Sequence, residues 1–278
     1  MVFTIKTPNA NNKSATDRTL PLLVSVPHCG ITIPDALRST FHSEFHSTQP
    51  DTDWLVHELY NFVPEIGGTL IHANLSRYVI DLNRDPSGSQ LYKDGRRETT
   101  LVPTLTFDGR PIYAGAPPDE AEIKRRIDQY HAPYYAEISR ILNAMRKVHR
   151  NVLFFDAHSI KRVVLSISSK PFPDMILGSN DGKSAATPLC ETALRCLTKT
   201  TTNSNPYQVT HNQPFKGGYL TRFFGQPQRG IHALQLEMAQ DIYLDESKLT
   251  LDQTAAEAIR PVLRNTLVQL CHTLEELP

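Results

Sequence analysis

Three apolar segments of this sequence lead directly into side chains that could hold a metal ion or move a proton. "LLVSV" leads to His28, "NVLFF" leads to Asp156 and His158, and "ALQL" leads to Glu237. Two imidazoles and a carboxylate, with one position left open for water, are the ligands of a hydrolytic zinc site. A single histidine after a strand is more often a hydrogen-bonded loop residue, so the recurrence of such ends favours a functional site.

Two further segments carry groups that suit either chemistry or structure. "PDTDW" places Asp51 and Asp53 at the start of a predicted helix, where aspartate also serves as a cap. "SRYVIDLNRDP" contains Asn83 and Arg84, whose forked donors suit a substrate carboxylate. A structural ion pair between an arginine and Asp81 or Asp85 explains the same segment equally well.

A third segment, "NQPFKGGYLTRFFG", brings Lys216, Gly217 and Arg222 into one short stretch. Adjacent glycines allow a backbone to approach a ligand closely, but they also make ordinary turns. From the residues alone, the turn is the better interpretation.

Composition narrows the classes of function. The 278 residues include 29 basic and 29 acidic side chains, and zero net charge argues against a nucleic-acid or membrane-surface partner. No stretch approaches the roughly 20 apolar residues of a spanning helix, and the N-terminus lacks a secretory pattern, so we expect a cytoplasmic protein. The four cysteines form no C-x-x-C pair, whereas eleven histidines are enough for an imidazole metal site.

The elements that must position these side chains alternate along the chain. Strands are predicted at "LLVSV", "TLIHA", "YVIDL", "NVLFF" and "IHALQLEM"; helices are predicted at "TDWLVHELYNFV", from Asp119 onwards with a kink at Pro133, through Leu189, and at the C-terminus. This alternation predicts an α/β fold with a mixed, mostly parallel sheet flanked by helices. We expect a polar arm over residues 1–18 and a single catalytic domain over 19–278. In such folds ligands bind beyond the carboxyl ends of the strands.

Taken in order, the motifs resemble the N-formylglutamate amidohydrolase (deformylase) family. The similarity is carried by "SVPHCG", "PDTDW", "SRYVIDLNRDP", "DAHSI", "PFKGGYLTR" and "HALQLEMAQ", and it covers nearly the whole chain. It implies a fold like that of the zinc carboxypeptidases and aspartoacylase (phosphorylase/hydrolase-like), with one Zn²⁺ per chain, although other divalent metals fit the same ligands.

The resemblance also implies roles for individual residues. Those relatives pair the first histidine with a glutamate three residues later, but position 31 here is Ile, so the carboxylate ligand must come from elsewhere. We expect Asp51 to be that ligand, with Asp53 as the rival. The remaining roles implied are metal binding by His28 and His158, water activation by Glu237, oxyanion stabilisation by Arg77, substrate binding by Asn83, Arg84, Lys216, Gly217 and Arg222, and support of the ligands by Asp53, Asp156 and Ser159.

The expected reaction is hydrolysis of N-formyl-L-glutamate to L-glutamate and formate, a step of histidine degradation. The expected partner is therefore a small N-formyl amino acid, and a homo-oligomer is left open. A hydrolase of another N-acyl amino acid, a cysteine amidase using Cys29 beside His28, and a binding protein without activity are the alternatives. Adjacent residues rarely point their side chains at one another, which argues against the cysteine mechanism.

Overall fold

A mixed sheet of seven strands runs through the computed structural model, which describes residues 1–8, 19–91, 98–198 and 206–278. Its strands are β1 (Phe3–Lys6), β2 (Leu22–Val26), β3 (Thr69–Ala73), β4 (Val152–Ile160), β5 (Met175–Gly178), β6 (Val209–His211) and β7 (Ile231–Ala239). The order is β1-β3-β2-β4-β7-β5-β6, and β3, β2, β4 and β7 are mutually parallel. The antiparallel pairs among the described strands of this sheet are β1–β3 and β5–β7, and β6 runs parallel to β5. The predicted mixed, mostly parallel sheet is confirmed.

Helices cover both faces of this sheet, as continuous apolar strands require. They are α1 (Asp35–Arg38), α2 (Val56–Leu59), α3 (Glu120–Arg126), α4 (Ala132–Arg146), α5 (Thr187–Leu197), α6 (Tyr219–Phe224) and α7 (Gln253–Glu276), and a small hairpin of β8 (Leu244–Asp245) and β9 (Thr250–Leu251) precedes α7. Alternate residues of β4 point to opposite faces. Phe155 joins the core under α5 and α7, whereas Phe154 joins the core under α4 and α6.

The long helix predicted from Asp119 is interrupted where its proline predicts a kink. Asp119 caps α3 by accepting a hydrogen bond from the Glu122 backbone N–H at 2.8 Å. A π-helical turn over Ile127–His131 then separates α3 from α4, and Pro133 lies in the first turn of α4. A proline in a helix interior loses one backbone hydrogen bond and crowds the preceding turn, which a wider turn relieves.

Two local predictions were wrong. "YVIDL" (78–82) forms buried turns instead of a strand, with its backbone groups bonded to loops and side chains, such as the Asp81 N–H to the Leu101 carbonyl at 2.7 Å. The helix expected over "TDWLVHELYNFV" shrinks to α2, because Leu55 adopts a left-handed backbone with φ 58°. Part of the expected N-terminal arm forms β1 at the sheet edge, while residues 9–18 lie outside the described residues. The single-domain boundary stays a prediction.

Candidate metal centre

A cavity of about 810 Å³ opens at the carboxyl ends of the parallel strands β2, β4 and β7. Its lining includes His28, just beyond β2, His158 in β4 and Glu237 in β7. His158 and Glu237 lie opposite each other in the β4–β7 register, inside these strands and not beyond them as expected. The two strands are therefore longer than their apolar segments, and their last residues form the cavity wall.

Three buried side chains in this cavity form a group suited to a metal ion. The ligand atoms of His28, Asp53 and His158 all lie within 4.8 Å of one another. Asp53 Oδ2 is 3.0 Å from His158 Nδ1 and 3.8 Å from His28 Nδ1. Among the described residues this is the one group of three or more histidine, cysteine or acidic side chains that meets this geometry.

Local structure brings Asp53 beside the first histidine. The Asp53 backbone N–H donates to the His28 carbonyl at 3.1 Å, which ties the "PDTDW" segment to the end of β2. Leu55 then turns the chain into α2 through its left-handed conformation. The carboxylate is thus fixed by a backbone contact between segments about 25 residues apart in sequence.

Each histidine contacts a second buried carboxylate through its other ring nitrogen. His28 Nε2 lies 2.7 Å from Asp81 Oδ1, and His158 Nε2 lies 3.1 Å from Asp156 Oδ2. Because an ionised carboxylate only accepts hydrogen bonds, each Nε2 carries a proton. Nδ1 of His28 faces Asp53 at 3.8 Å with its lone pair available, whereas Nδ1 of His158 lies within hydrogen-bond distance of Asp53. The Asn83 amide nitrogen also lies 3.2 Å from His158 Nε2, but a ring nitrogen that donates to Asp156 cannot accept from it.

Electrostatics differ between the two rings. Burial and the nearby Arg77 guanidinium lower the pKa of His28, although Asp81 and Asp53 oppose them. Burial also acts to lower the pKa of His158, but the Asp156 and Asp53 carboxylates outweigh it and raise that pKa well above its usual value. In the protein without a cation, the His158 ring therefore holds a proton on Nδ1 that it shares with the Asp53 carboxylate.

The donor set fits Zn²⁺. Imidazole nitrogens and a carboxylate oxygen are ordinary zinc ligands, and histidine ligands typically donate their second N–H to a carboxylate. Three buried carboxylates, those of Asp53, Asp81 and Asp156, face only one fully buried guanidinium, that of Arg77, within this described cluster. One oxygen of Asp156 is buried without a hydrogen-bond partner. A bound cation would compensate this excess of negative charge.

Asp51, the carboxylate ligand expected from sequence, does not join this group. Its Oδ2 accepts hydrogen bonds from the Tyr78 hydroxyl and the Phe107 backbone N–H, each at 2.9 Å. Asp53, the rival ligand in the sequence analysis and otherwise expected to support the ligands, takes the position beside the two histidines. The two acids are two residues apart, so their order in the sequence could not distinguish a helix-start residue from a ligand.

Glu237 lies beside the metal group and is half-buried in the cavity wall. Burial raises its pKa to about 8; His158 acts against this shift, and Asp53 adds to it. A cation bound by Asp53 would oppose the same shift, because positive charge favours the carboxylate. Its described hydrogen-bonding neighbour is Gln235, whose Nε2 lies 3.5 Å from Glu237 Oε2.

Arg77 lines the cavity with its guanidinium already engaged. It donates to Asp81 Oδ2 at 2.7 Å and to the Asp51 carbonyl at 3.2 Å, and it lies 3.9 Å from Asp53 Oδ1. The same guanidinium stacks over the Phe107 ring, 5.0 Å from its centroid. Arg77 is therefore a fixed positive charge next to the metal group.

Asn83 and Arg84 line the same cavity on the side of α6. Asn83 Oδ1 accepts the Leu220 backbone N–H at 2.8 Å, and a Cβ at Gly218 would overlap the Asn83 amide, so only glycine fits there. Arg84 donates to the carbonyl and hydroxyl of Thr99 at 2.9 and 2.8 Å and to the Asn83 carbonyl at 2.9 Å. Among the described residues the acceptors of Arg84 are all neutral oxygens.

The other expected substrate residues lie away from the cavity lining. Lys216 forms an ion pair with Asp181 at 2.9 Å, and Arg222 donates to the carbonyls of Gly217 and Leu91 at 2.9 and 2.8 Å. Arg222 thus supports the cavity wall, because Leu91 belongs to the lining. The order of "KGGYLTR" placed these residues near the site but could not show which way they point.

Ser159 was expected to support the metal ligands, and Cys29 was the nucleophile of the alternative cysteine mechanism. Ser159 lines the cavity beside His158 and accepts hydrogen bonds from the Tyr243 hydroxyl at 2.8 Å and Gln240 Nε2 at 3.3 Å. Cys29 points away from the cavity lining, and its Sγ lies 3.6 and 3.5 Å from the carbonyls of Val26 and Ala73. Burial raises its pKa, the reverse of what a thiolate nucleophile needs.

Sequence reasoning missed two residues of the site. Asp81 was considered only as an ion-pair partner, although it contacts both Arg77 and His28. Gln235 lines the cavity, and its Oε1 accepts the Gly218 backbone N–H at 2.7 Å. The available signal was position: Gln235 precedes Glu237 by two residues, so both point to the same side of β7.

A buried histidine pair with a carboxylate, next to a glutamate in an open cavity, is a group that could hold a metal ion, in an arrangement common to metal-dependent hydrolases. Comparison with known proteins agrees with this class. The family model of N-formylglutamate amidohydrolase matches residues 20–244. N-formylglutamate deformylase of Pseudomonas putida is 36% identical over 253 residues, covering 90% of this chain and 92% of that protein.

A second relative, N-formylglutamate deformylase of Pseudomonas aeruginosa, is 37% identical over 254 residues with the same coverage of both chains. The crystal structure of N-formylglutamate amidohydrolase from Ralstonia eutropha JMP134 superposes with a TM-score of 0.78 at 25% identity, covering 99% of this chain and 98% of that one. The chain belongs to the N-formylglutamate amidohydrolase family, as the motifs predicted. Within the described residues, every helix is too short or too polar to cross a membrane.

Proposed function

We propose that this protein hydrolyses N-formyl-L-glutamate to L-glutamate and formate, using a zinc ion held by His28, Asp53 and His158. The observation that carries the proposal is the buried His-Asp-His group with Glu237 beside it, in a chain that belongs to an amidohydrolase family. The ligand atoms would be Nδ1 of each histidine and a carboxylate oxygen of Asp53. Asp53 replaces Asp51 in this assignment.

When bound, such an ion supplies Lewis acidity, which stabilises developing negative charge and lets water react as a nucleophile near neutral pH. Glu237 accepts the proton of the attacking water and later delivers it to the departing amine nitrogen. Its place opposite His158 in the strand register, at the cavity wall, keeps this carboxylate close to the reacting centre. The products are then a free amine and formate, with the proton balance closed by Glu237.

The different surroundings of Arg77 and Arg84 suit them to different roles in the reaction. Arg77 is held by Asp81 and Asp51, so it acts as a fixed charge that stabilises the anionic intermediate from one side. Arg84 has only neutral acceptors among the described residues, and together with Asn83 it binds a substrate carboxylate. The cavity lining beyond Arg84 includes the threonines Thr99, Thr100, Thr104 and Thr106, polar groups suited to a second carboxylate.

The experiment that tests the function measures formate and acetate release from a panel of N-formyl and N-acetyl amino acids. N-formylglutamate should give the highest kcat/KM, activity should disappear with a chelator, and added zinc should restore it. If an N-acetyl amino acid gave the highest kcat/KM, the proposed substrate would be wrong and the enzyme would act on another N-acyl amino acid. Activity that survives complete removal of metal would contradict the metal-dependent mechanism.

A variant pair assigns the base. Glu237→Gln should retain zinc and lose roughly 10²–10⁴-fold in kcat, because only the proton transfer is removed. Glu44→Gln, at an exposed acid paired with Arg110, provides the acid-to-amide control and should keep wild-type kcat. Near-normal turnover by Glu237→Gln would remove Glu237 from the base role. Cys29→Ser should remain active and chelator-sensitive, since the thiol points away from the cavity.

A further inference from the structure

We propose that Asp81 is a positioning residue of the metal centre: it holds the proton of the His28 ring on Nε2 and so presents Nδ1 to the cation. This inference rests on the proposed function, because it takes His28 as a metal ligand. Asp81 would not touch the substrate. Its effect would act entirely through the ring that it orients.

Asp81 is fully buried and is satisfied by three different donors. Its Oδ1 accepts from His28 Nε2 at 2.7 Å and from the Asn83 backbone N–H at 2.9 Å, and its Oδ2 accepts from Arg77 at 2.7 Å. Such short, charge-assisted bonds in a buried place fix the direction of every partner. Asp81 therefore joins a metal ligand, a fixed cation and the segment that carries the substrate residues.

The choice of ring nitrogen follows from donor and acceptor roles. A neutral imidazole has one N–H, and a carboxylate cannot donate, so the short contact with Asp81 requires the proton on Nε2. The opposite nitrogen, Nδ1, faces Asp53 Oδ2 at 3.8 Å, too far for a hydrogen bond. That nitrogen keeps its lone pair, and the gap beside it is where the third donor of the group converges.

The ion pair with Arg77 makes Asp81 suitable for this task. A lone buried carboxylate would also favour a second proton on the ring, since an opposite charge stabilises the imidazolium. The Arg77 guanidinium on the other oxygen offsets that attraction while leaving Oδ1 able to accept. Asp81 therefore sets the tautomer of His28 without adding positive charge where the cation should bind.

The first test uses the metal-free wild-type protein with ¹⁵N-labelled histidine. Correlation of ring protons with ring nitrogens shows which nitrogen is protonated, and His28→Ala identifies the signals. We expect the Nε2–H tautomer for His28. A proton found on Nδ1 of His28 would overturn the inference without any variant of Asp81 having to fold.

The second test measures zinc affinity by competition with a chromophoric chelator. Asp81→Asn keeps the size of the side chain, but its amide can satisfy Arg77 with oxygen only by turning NH₂ towards His28. That arrangement favours the wrong tautomer, so affinity should fall by about 10–100-fold, the range typical for groups that orient metal ligands. The His28 signals should lose the Nε2–H form in the same variant.

Asp174→Asn is the matched control. Asp174 also accepts from an arginine and a backbone N–H, Arg162 and Gln208 each at 2.8 Å, but no described histidine contacts it. The zinc affinity of the Asp174→Asn variant should equal that of the wild-type protein. In a His28→Ala background, Asp81→Asn should have little further effect on affinity, because its route of action is gone.

The outcomes separate the two proposals. Wild-type protein that binds no zinc would overturn the proposed metal function, and the inference with it. Wild-type zinc affinity combined with an unchanged affinity in Asp81→Asn would overturn only the inference. An equal loss of affinity from Asp81→Asn with and without His28 would also overturn it, because the residue would then act on the whole fold.

Discussion

The two histidines of the candidate metal centre are supported in different ways. His158 and its carboxylate, Asp156, are two residues apart on one buried strand, β4, so the backbone geometry of the sheet places both. His28 and Asp81 are 53 residues apart and lie on irregular segments. The strand-borne pair needs little beyond the sheet, whereas the loop-borne pair depends on additional contacts to hold it.

Those additional contacts surround the segment that carries Asp81. Arg126 on α3 donates to the Val79 carbonyl at 3.0 Å, and the Tyr135 hydroxyl on α4 donates to the Leu82 carbonyl at 2.7 Å. Buried irregular backbone must find such partners, because it has no ladder or helix to pair its groups. The sheet therefore positions His158 and Asp156, whereas helices packed on an irregular segment position Asp81 beside His28.

The largest effect should come from Asp53, which faces the histidine of each pair. Asp53→Asn removes the carboxylate that faces both Nδ1 atoms, so zinc affinity should fall by more than the roughly 10–100-fold expected for outer groups. Asp51→Asn is the control, because the structure places Asp51 on Tyr78 and Phe107. Chelator competition measures both. A larger loss in Asp51→Asn would return the ligand role to Asp51.

A second effect should separate the two pairs by stability. Asp81→Asn leaves the buried Arg77 without its closest carboxylate, and breaking a buried ion pair costs about 3–5 kcal/mol. Asp156→Asn loses contacts to His158 and to the Thr221 hydroxyl, for which we expect about 1–3 kcal/mol. Urea unfolding of the metal-free variants measures both. Equal costs would mean that the loop-borne pair needs no more support than the strand-borne one.

A smaller effect should appear on the strand side alone. Thr221→Val removes the hydroxyl that donates to Asp156 Oδ2 at 3.2 Å, with little change of shape. We expect a loss of about 1 kcal/mol in unfolding free energy, the usual net value of one hydrogen bond. The tautomer of His28 should be unchanged in the ¹⁵N spectrum. A shift of the His28 signals would show that the two halves of the centre are coupled.

The smallest effect should come from the helix that supports the loop side. Glu122 binds Arg125 and Arg126, and hydrogen bonds from these arginines lower its pKa to about 2. A lowered folded-state pKa contributes stability that is present above the unfolded value near 4.3 and is lost as the pH falls through about 2. Glu122→Gln should therefore cost about 1 kcal/mol at pH 7, because Glu122 is partly exposed, and progressively less below pH 4.

The matched control for that prediction is Glu137→Gln. Glu137 pairs with the exposed Arg140 on α4 and is not bonded to a buried arginine in the described structure, so its removal should cost less at pH 7. Urea unfolding of metal-free protein at pH 7 and pH 3 gives the comparison. A cost of Glu122→Gln that grows on acidification would contradict the assignment of the shift.

Much of the fold could be predicted from the pattern of apolar residues. Continuous apolar runs predicted β2, β3, β4 and β7, because a strand covered on both faces must be apolar throughout. The failure at "YVIDL" has the same origin: a buried segment is apolar whether or not it is a strand. Its backbone is satisfied by Leu101 and Tyr135, which are distant in sequence, and no local pattern shows such partners.

Residue types and strand ends were enough to predict the inventory of the site, two histidines and a glutamate near the ends of neighbouring parallel strands, and the motifs were enough to predict the family. Residue type and strand end are local properties, so they can be read along the chain. The tertiary contacts, by contrast, place Asp53 and not Asp51 beside the two histidines and bring Asp81 to His28. Those choices depend on which way a side chain points from an irregular segment, and that direction is set by contacts with residues far away in the chain.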